Sequence, residues 1–141
     1  MTRASSPRAS TILAAEPQLF AQDLDRSREF YTGKLGFTLV FSYGEPPFYM
    51  QVARDGARLN LRHAEGPIFD GGFRSREPHA LSATLTVDDA APLFGELQKA
   101  GVDFNRPLTD EPWGARTFII SDPDGNLLCF AGPAVTSGRG V

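Results

Sequence analysis

The sequence predicts an α+β domain made of two βαβββ modules whose strands form a curved mixed sheet with a concave ligand cavity. Three observations predict it. Each half has an aspartate placed to cap a helix and a glycine placed to stop it: Asp23 and Gly36, then Asp89 and Gly101. Each half then has an Asp-Gly turn between apolar runs, Asp55-Gly56 and Asp124-Gly125. The apolar period also switches, from alternation at Leu59 and Leu61 to i, i+3, i+4, i+7 at Ala90, Leu93, Phe94 and Leu97.

Taken in order, Pro17 to Gln22 is a short strand with Leu19 and Ala21 on one face and Gln18 and Phe20 on the other. A helix follows the Asp23 cap, with Leu24, Ser27, Arg28 and Tyr31 on one face, and ends at Gly36. Phe37 to Phe41 is the second strand, Gly44 to Pro47 a turn, and Phe48 to Ala53 the third strand. Arg58 to Arg62 is the fourth, alternating Leu59 and Leu61 with Arg58, Asn60 and Arg62. Gly66-Pro67, Gly71-Gly72 and Pro78 mark residues 64–79 as a linker or long loop. Phe69 and Phe73 are too apolar for a fully solvated one, so it is expected to pack on the domain.

The order then restarts. Leu81 to Val87 alternate apolar and polar residues, Asp88-Asp89 opens the second helix, and Ala100-Gly101 closes it. Val102 to Phe104 begins a strand, Asp110 to Pro112 is a loop, and Trp113 to Ser121 is a strand. Asp122 to Asn126 is a turn before a last strand from Leu127 to Phe130. The modules span 16–63 and 80–132 of a single domain, 16–132. Residues 1–15 are an N-terminal tail or arm and residues 133–141 a C-terminal tail.

A chain of 141 residues with 41% hydrophobic and 22% charged residues suits one globular domain. A net charge of −3 gives no basic face for nucleic acid. No apolar run is long enough to span a bilayer as a helix, so no membrane partner is expected. A single cysteine, Cys129, allows no intrachain disulfide, and the cytoplasm is the expected compartment.

Two segments carry a family resemblance over about residues 16–132. Asp23-Leu-Asp-Arg-Ser-Arg-Glu-Phe-Tyr31 runs into Leu35-Gly36-Phe37, and Glu111-Pro-Trp-Gly-Ala-Arg116 precedes Asp122-Pro-Asp-Gly-Asn126. With the paired layout they resemble the vicinal oxygen chelate superfamily, which includes glyoxalase I, extradiol dioxygenases, fosfomycin resistance enzymes and bleomycin resistance proteins. Pro17-x-Leu19 and the Pro-Trp-Gly segment look most like the bleomycin resistance branch. That resemblance implies a homodimer, an antibiotic resistance role by sequestration without chemistry, and an N-terminal arm exchanged between subunits near Pro17.

Metalloenzymes of the superfamily draw ligands from the start and the last strand of each half. The positions that match here hold Glu16, Asn60, Ser82 and Cys129. Only Glu16 is a good donor to a hard divalent cation, and His63 and His79 read as surface residues. The expectation is therefore no metal, no cofactor and no catalytic residue, with a divalent-metal glyoxalase- or dioxygenase-like enzyme with altered ligands as the alternative. Cys129 has no sequence-evident base, so the preferred reading of its thiol is a small apolar pocket or core residue rather than a reactive group. The expected ligand contacts are Trp113, Arg116, Phe118, Phe41, Phe48, Met50, Asn60, Arg62 and Cys129, around a small or medium aromatic molecule. Trp113 reads either as a ligand platform or as a core residue, and Phe41, Phe48 and Phe118 read as either wall or core. Bleomycin binders have rather acidic grooves, whereas Arg58, Arg62 and Arg116 suit a neutral or anionic aromatic ligand better.

Overall fold

The computed structural model describes residues 9–134. Within them the strands form two separate four-stranded mixed sheets. The first module contributes β1 (Gln18–Ala21), β2 (Thr38–Tyr43), β3 (Tyr49–Arg54) and β4 (Ala57–His63). The second contributes β5 (Ala83–Thr86), β6 (Phe104–Asp110), β7 (Ala115–Ser121) and β8 (Leu127–Pro133). The strand orders are β1-β4-β3-β2 and β5-β8-β7-β6, so the two sheets repeat one topology. In each, the first strand runs parallel to the last, β1 to β4 and β5 to β8, and the other pairs are antiparallel.

Helix α1 (Leu24–Glu29) opens on Asp23, whose carboxylate accepts the Arg26 amide at 3.2 Å. It continues as a π-helical turn, Phe30–Lys34, and the chain leaves through Gly36 at φ 74°. Helix α3 (Ala90–Lys99) opens on Asp89, which accepts from the Ala91 amide, and leaves through Gly101 at φ 79°. Both glycines adopt the left-handed conformation that ends a helix cheaply only without a side chain. Ser27 is buried on α1 beside Leu24, and Tyr31 on the π-helical turn, whereas Arg28, expected on the same face, is exposed.

The expected linker contains a helix, α2 (Gly71–Arg76), capped by Asp70. Its Arg74 lies 4.5 Å from the Phe69 ring centroid and donates to the carbonyls of Glu77, Ala80 and Gly125. That contact ties the linker to the β7–β8 loop. β6 runs on to Asp110, the first residue of the expected loop, while Trp113 lies in the turn that precedes β7 rather than in the strand.

One continuous core joins the modules. It takes Leu19, Met50, Val52, Leu59 and Leu61 from the first sheet, and Phe118, Ile120, Leu128 and Phe130 from the second. The two helices cover these faces with Leu24, Tyr31, Ala90 and Leu97. Each sheet therefore buries its helix side; the other side is open in the first sheet, where Phe20, Phe41 and Tyr43 are exposed, whereas in the second sheet Thr117, Ile119, Leu127 and Cys129 are buried there too. The expected single larger sheet does not form within the chain, because the strands stay in two hydrogen-bonded sets.

Candidate functional site

Strand register decides which side chains reach the face of each sheet away from its helix. In the first sheet, Leu59 and Leu61 pair with Val52 and Met50 on the buried side. Arg58, Asn60 and Arg62 therefore share the open side with Ala53, Gln51 and Tyr49 opposite them. The parallel partners Gln18 and Phe20 join Asn60 and Arg62 there. Phe41 and Tyr43 join through Gln51 and Tyr49, after an irregularity in β2 between Leu39 and Phe41.

The result is an aromatic surface around a polar centre. Phe20, Phe41, Tyr43 and Phe48 are all exposed. Phe41 and Tyr49 have ring centroids 5.6 Å apart, and Tyr43 meets Phe48 edge-on at 5.5 Å. The Arg62 guanidinium sits 5.9 Å from the Phe48 centroid. At the centre Gln51 donates to Asn60 Oδ1 at 2.8 Å and to Glu16 Oε1 at 3.1 Å, and Arg58 Nη1 donates to Gln51 Oε1 at 2.9 Å.

On the side of the second sheet away from its helix, Ile119, Leu127 and Cys129 form a small buried apolar cluster with Ala131 beside it. Glu111 lies next to them, its carboxylate accepting from Arg106 at 2.6 Å and from Thr117 at 2.8 Å. Burial raises the Cys129 thiol pKa, the Glu111 carboxylate raises it further, and Arg106 opposes both. Cys129 is thus held as a thiol, a poor nucleophile and a poor metal ligand.

Five of the nine expected contacts lie on or beside these faces: Phe41, Phe48, Asn60, Arg62 and the buried Cys129. Trp113 sits in the β6–β7 turn, 73% exposed, and is therefore a surface residue and not a core one. The other three lie elsewhere. Met50 and Phe118 are 0% exposed on the helix side, with Phe118 stacked on Phe130 at 5.0 Å. Arg116 is on the helix side too, since it is opposite Gly132, whose Cα lies beneath Val87 and Ala90 at the start of α3. Its guanidinium is taken by Asp110, at 2.6 and 3.2 Å. Sequence reasoning missed Gln51, Tyr43 and Tyr49. Alternation from Met50 and Val52 would have found Gln51 and Tyr49 once those two were set inward.

The positions that match the metalloenzyme ligands do not make a hard-metal set. Glu16 and Asn60 are joined through Gln51. Ser82 donates to Asn126 Oδ1 at 3.2 Å, and Cys129 is in the apolar cluster. Among the described residues, no three His, Cys, Asp or Glu side chains are grouped to hold a metal ion. His63 and His79 are spent on Glu65 and Asn105 at the periphery.

Comparison with known proteins agrees with this architecture. The model of the Glyoxalase/Bleomycin resistance protein/Dioxygenase superfamily matches residues 12–130. Bleomycin resistance proteins of Geobacillus stearothermophilus and Staphylococcus aureus are 30% identical over 133 residues, covering 84% of this chain and 96% of theirs. The bleomycin-binding protein of bleomycin-producing Streptomyces verticillus, solved with copper(II)-bleomycin, superposes with a TM-score of 0.69 at 26% identity, over 91% of this chain and 100% of that one. TioX from Micromonospora sp. ML1 shares the fold, with a TM-score of 0.66 at 24% identity over 84% of this chain and 96% of its own. The chain belongs to the Glyoxalase/Bleomycin resistance protein/Dioxygenase superfamily, in its bleomycin resistance branch.

Proposed function

We propose that this protein binds and sequesters a small or medium aromatic drug-like molecule without a metal and without chemistry. The carrying observation is the exposed aromatic set Phe20, Phe41, Tyr43 and Phe48, arranged around hydrogen-bonding Gln51 and Asn60. Rings give flat ligands a stacking surface, and the central amides give direction to polar groups. Support also comes from the bleomycin resistance relatives and from the solved structure whose partner is copper(II)-bleomycin. Arg58 and Arg62 on this face, against Glu16, favour a neutral or anionic ligand over a strongly cationic one. At the metalloenzyme positions one carboxylate, Glu16, stands with an amide, a hydroxyl and a thiol, a donor set that supports a metal-free site. Trp113, Phe41, Phe48, Asn60, Arg62 and Cys129 are the proposed contacts, in a groove completed by a second copy of the chain.

Trp113 is the single tryptophan and is exposed, so its fluorescence reports binding directly. Titration with bleomycin and with planar neutral and anionic antibiotics should give saturable quenching by at least one. Phe41→Ala should weaken that ligand about tenfold by removing a stacking ring. An unaltered affinity in Phe41→Ala would remove the aromatic face of the first sheet from the site. Stoichiometric nickel, zinc, iron or manganese in the purified protein would favour the enzymatic alternative instead.

A further inference from the structure

The internal repeat provides its own control for an unfilled space. At the start of α1, the five-residue loop Asp122 to Asn126 plugs the junction between the modules. Asp124 accepts from the Gln22 amide at 3.0 Å, from Arg26 at 3.3 Å and from Ser27 at 3.4 Å. Asp122 accepts from the Tyr31 hydroxyl at 2.8 Å, and Asn126 donates to the Phe20 carbonyl at 3.0 Å. The same topology sets the β3–β4 turn against the start of α3, but that turn is only Asp55-Gly56. A Cβ added at Gly56 would meet nothing within 4 Å.

In place of the longer loop there is a cleft of about 710 Å³, to which half-buried Leu85 and Leu93 present apolar surface, with the core residues Leu35, Phe37, Leu59 and Leu97 behind them. That volume falls in the range of sites for small organic ligands. Its lip has four carboxylates, Asp55, Asp88, Asp89 and Glu96, and two guanidiniums, Arg54 and Arg58. Arg54 is engaged by Glu96 at 2.8 and 3.0 Å and by the Leu35 carbonyl, and lies 3.8 Å from Asp55. Arg58 is held on the open face by Gln51. Asp89 feels Arg116, but that side chain is paired with Asp110. The lip is therefore net negative above a floor that includes Leu85 and Leu93.

We propose that this cleft binds a small amphipathic cation, an alkyl or aryl-alkyl amine, at a site separate from the aromatic face. The apolar body lies among the leucines and the ammonium sits at the lip by Asp88 and Asp55. The test is an amide NMR titration of the full chain with 4-phenylbutylamine, with 4-phenylbutyrate as the charge-reversed control. The amine should give saturable shifts at Leu85, Val87, Leu93 and Leu97, and the acid should bind about tenfold more weakly. Leu93→Trp should fill the cleft and abolish these shifts while leaving the rest of the spectrum intact. Should that variant not fold, the double variant Asp55→Asn, Asp88→Asn keeps the cleft and should bring the two probes within about twofold of each other. The proposal is overturned by equal affinities in the unaltered protein, or by no saturable shift at these amides. It is equally overturned by shifts confined to Phe41, Tyr43 and Arg62, or by a crystal structure in which a protein segment fills the cleft.

Discussion

At the scale of single residues, Tyr31 and Asp122 matter most. Both are buried and bonded to each other across the module junction. Asp122 also accepts from the Asp124 and Asn126 amides and from the Asn126 side chain. Tyr31→Phe removes one donor and should destabilise by about 1–3 kcal/mol in urea unfolding. Burial raises the Asp122 pKa, against the opposing hydrogen bonds from Asn126 and Tyr31. A raised carboxyl pKa gives stability that is complete below the unfolded value and declines as pH rises through the folded one. The deficit of Asp122→Asn against the unaltered protein should therefore be larger near pH 3 than near pH 7. A deficit that grows toward neutral pH would mean that the hydrogen bonds outweigh burial. This residue was legible only as a turn former, because its main partner is 91 positions away in sequence. Phe118 and Arg116 were misplaced for a related reason. Placing Phe130 inward fixes Phe118 inward once the Phe118–Phe130 pairing is known, but the pairing is tertiary information.

At the scale of elements, the helix boundaries were the most readable part of the chain. Asp23, Asp89, Gly36 and Gly101 are local signals and act locally. The two glycines also differ in a way that sequence does not show. A Cβ at Gly101 meets nothing within 4 Å, whereas one at Gly36 comes within 2.9 Å of Arg54 Nη1. Gly101→Ala should lose about 1 kcal/mol, the left-handed penalty alone. Gly36→Ala should lose more, because it also displaces the Arg54–Glu96 pair, which stabilises Glu96 as a carboxylate through its hydrogen bonds. Thermal midpoints of the two variants rank these directly, and equal shifts would show that Arg54 yields freely. Helix α2 was not legible, since Gly71 and Gly72 are poor helix formers and Pro78 follows closely. The Asp70 cap and the Arg74 contacts hold it there instead.

At the scale of the whole molecule, the repeat was readable as a topology but not as an assembly. The Asp-Gly turns and helix caps give two modules, yet nothing local says that their strands stay in two separate sheets. Ile12 and Leu13 are each 91% exposed, just before Pro17, and they form an apolar arm suited to a second copy. Light scattering should therefore give twice the 15.3 kDa protomer mass. Ile12→Glu with Leu13→Glu should shift the population toward the protomer, and an unchanged mass would exclude the arm from the interface. The Tyr31–Asp122 contact has a further consequence, for the order in which the chain folds. Each module closes only when its last strand docks beside its first, a non-local step that slows folding. The first module can make that closure as soon as β4 exists, but its Tyr31 hydroxyl finds its acceptor only when the Asp122 loop arrives. A fragment ending at residue 79 should thus remain loosely packed, with amides along α1 exchanging rapidly. Adding residues 80–141 as a separate chain should restore their protection, making the two halves one cooperative unit in spite of their repeat.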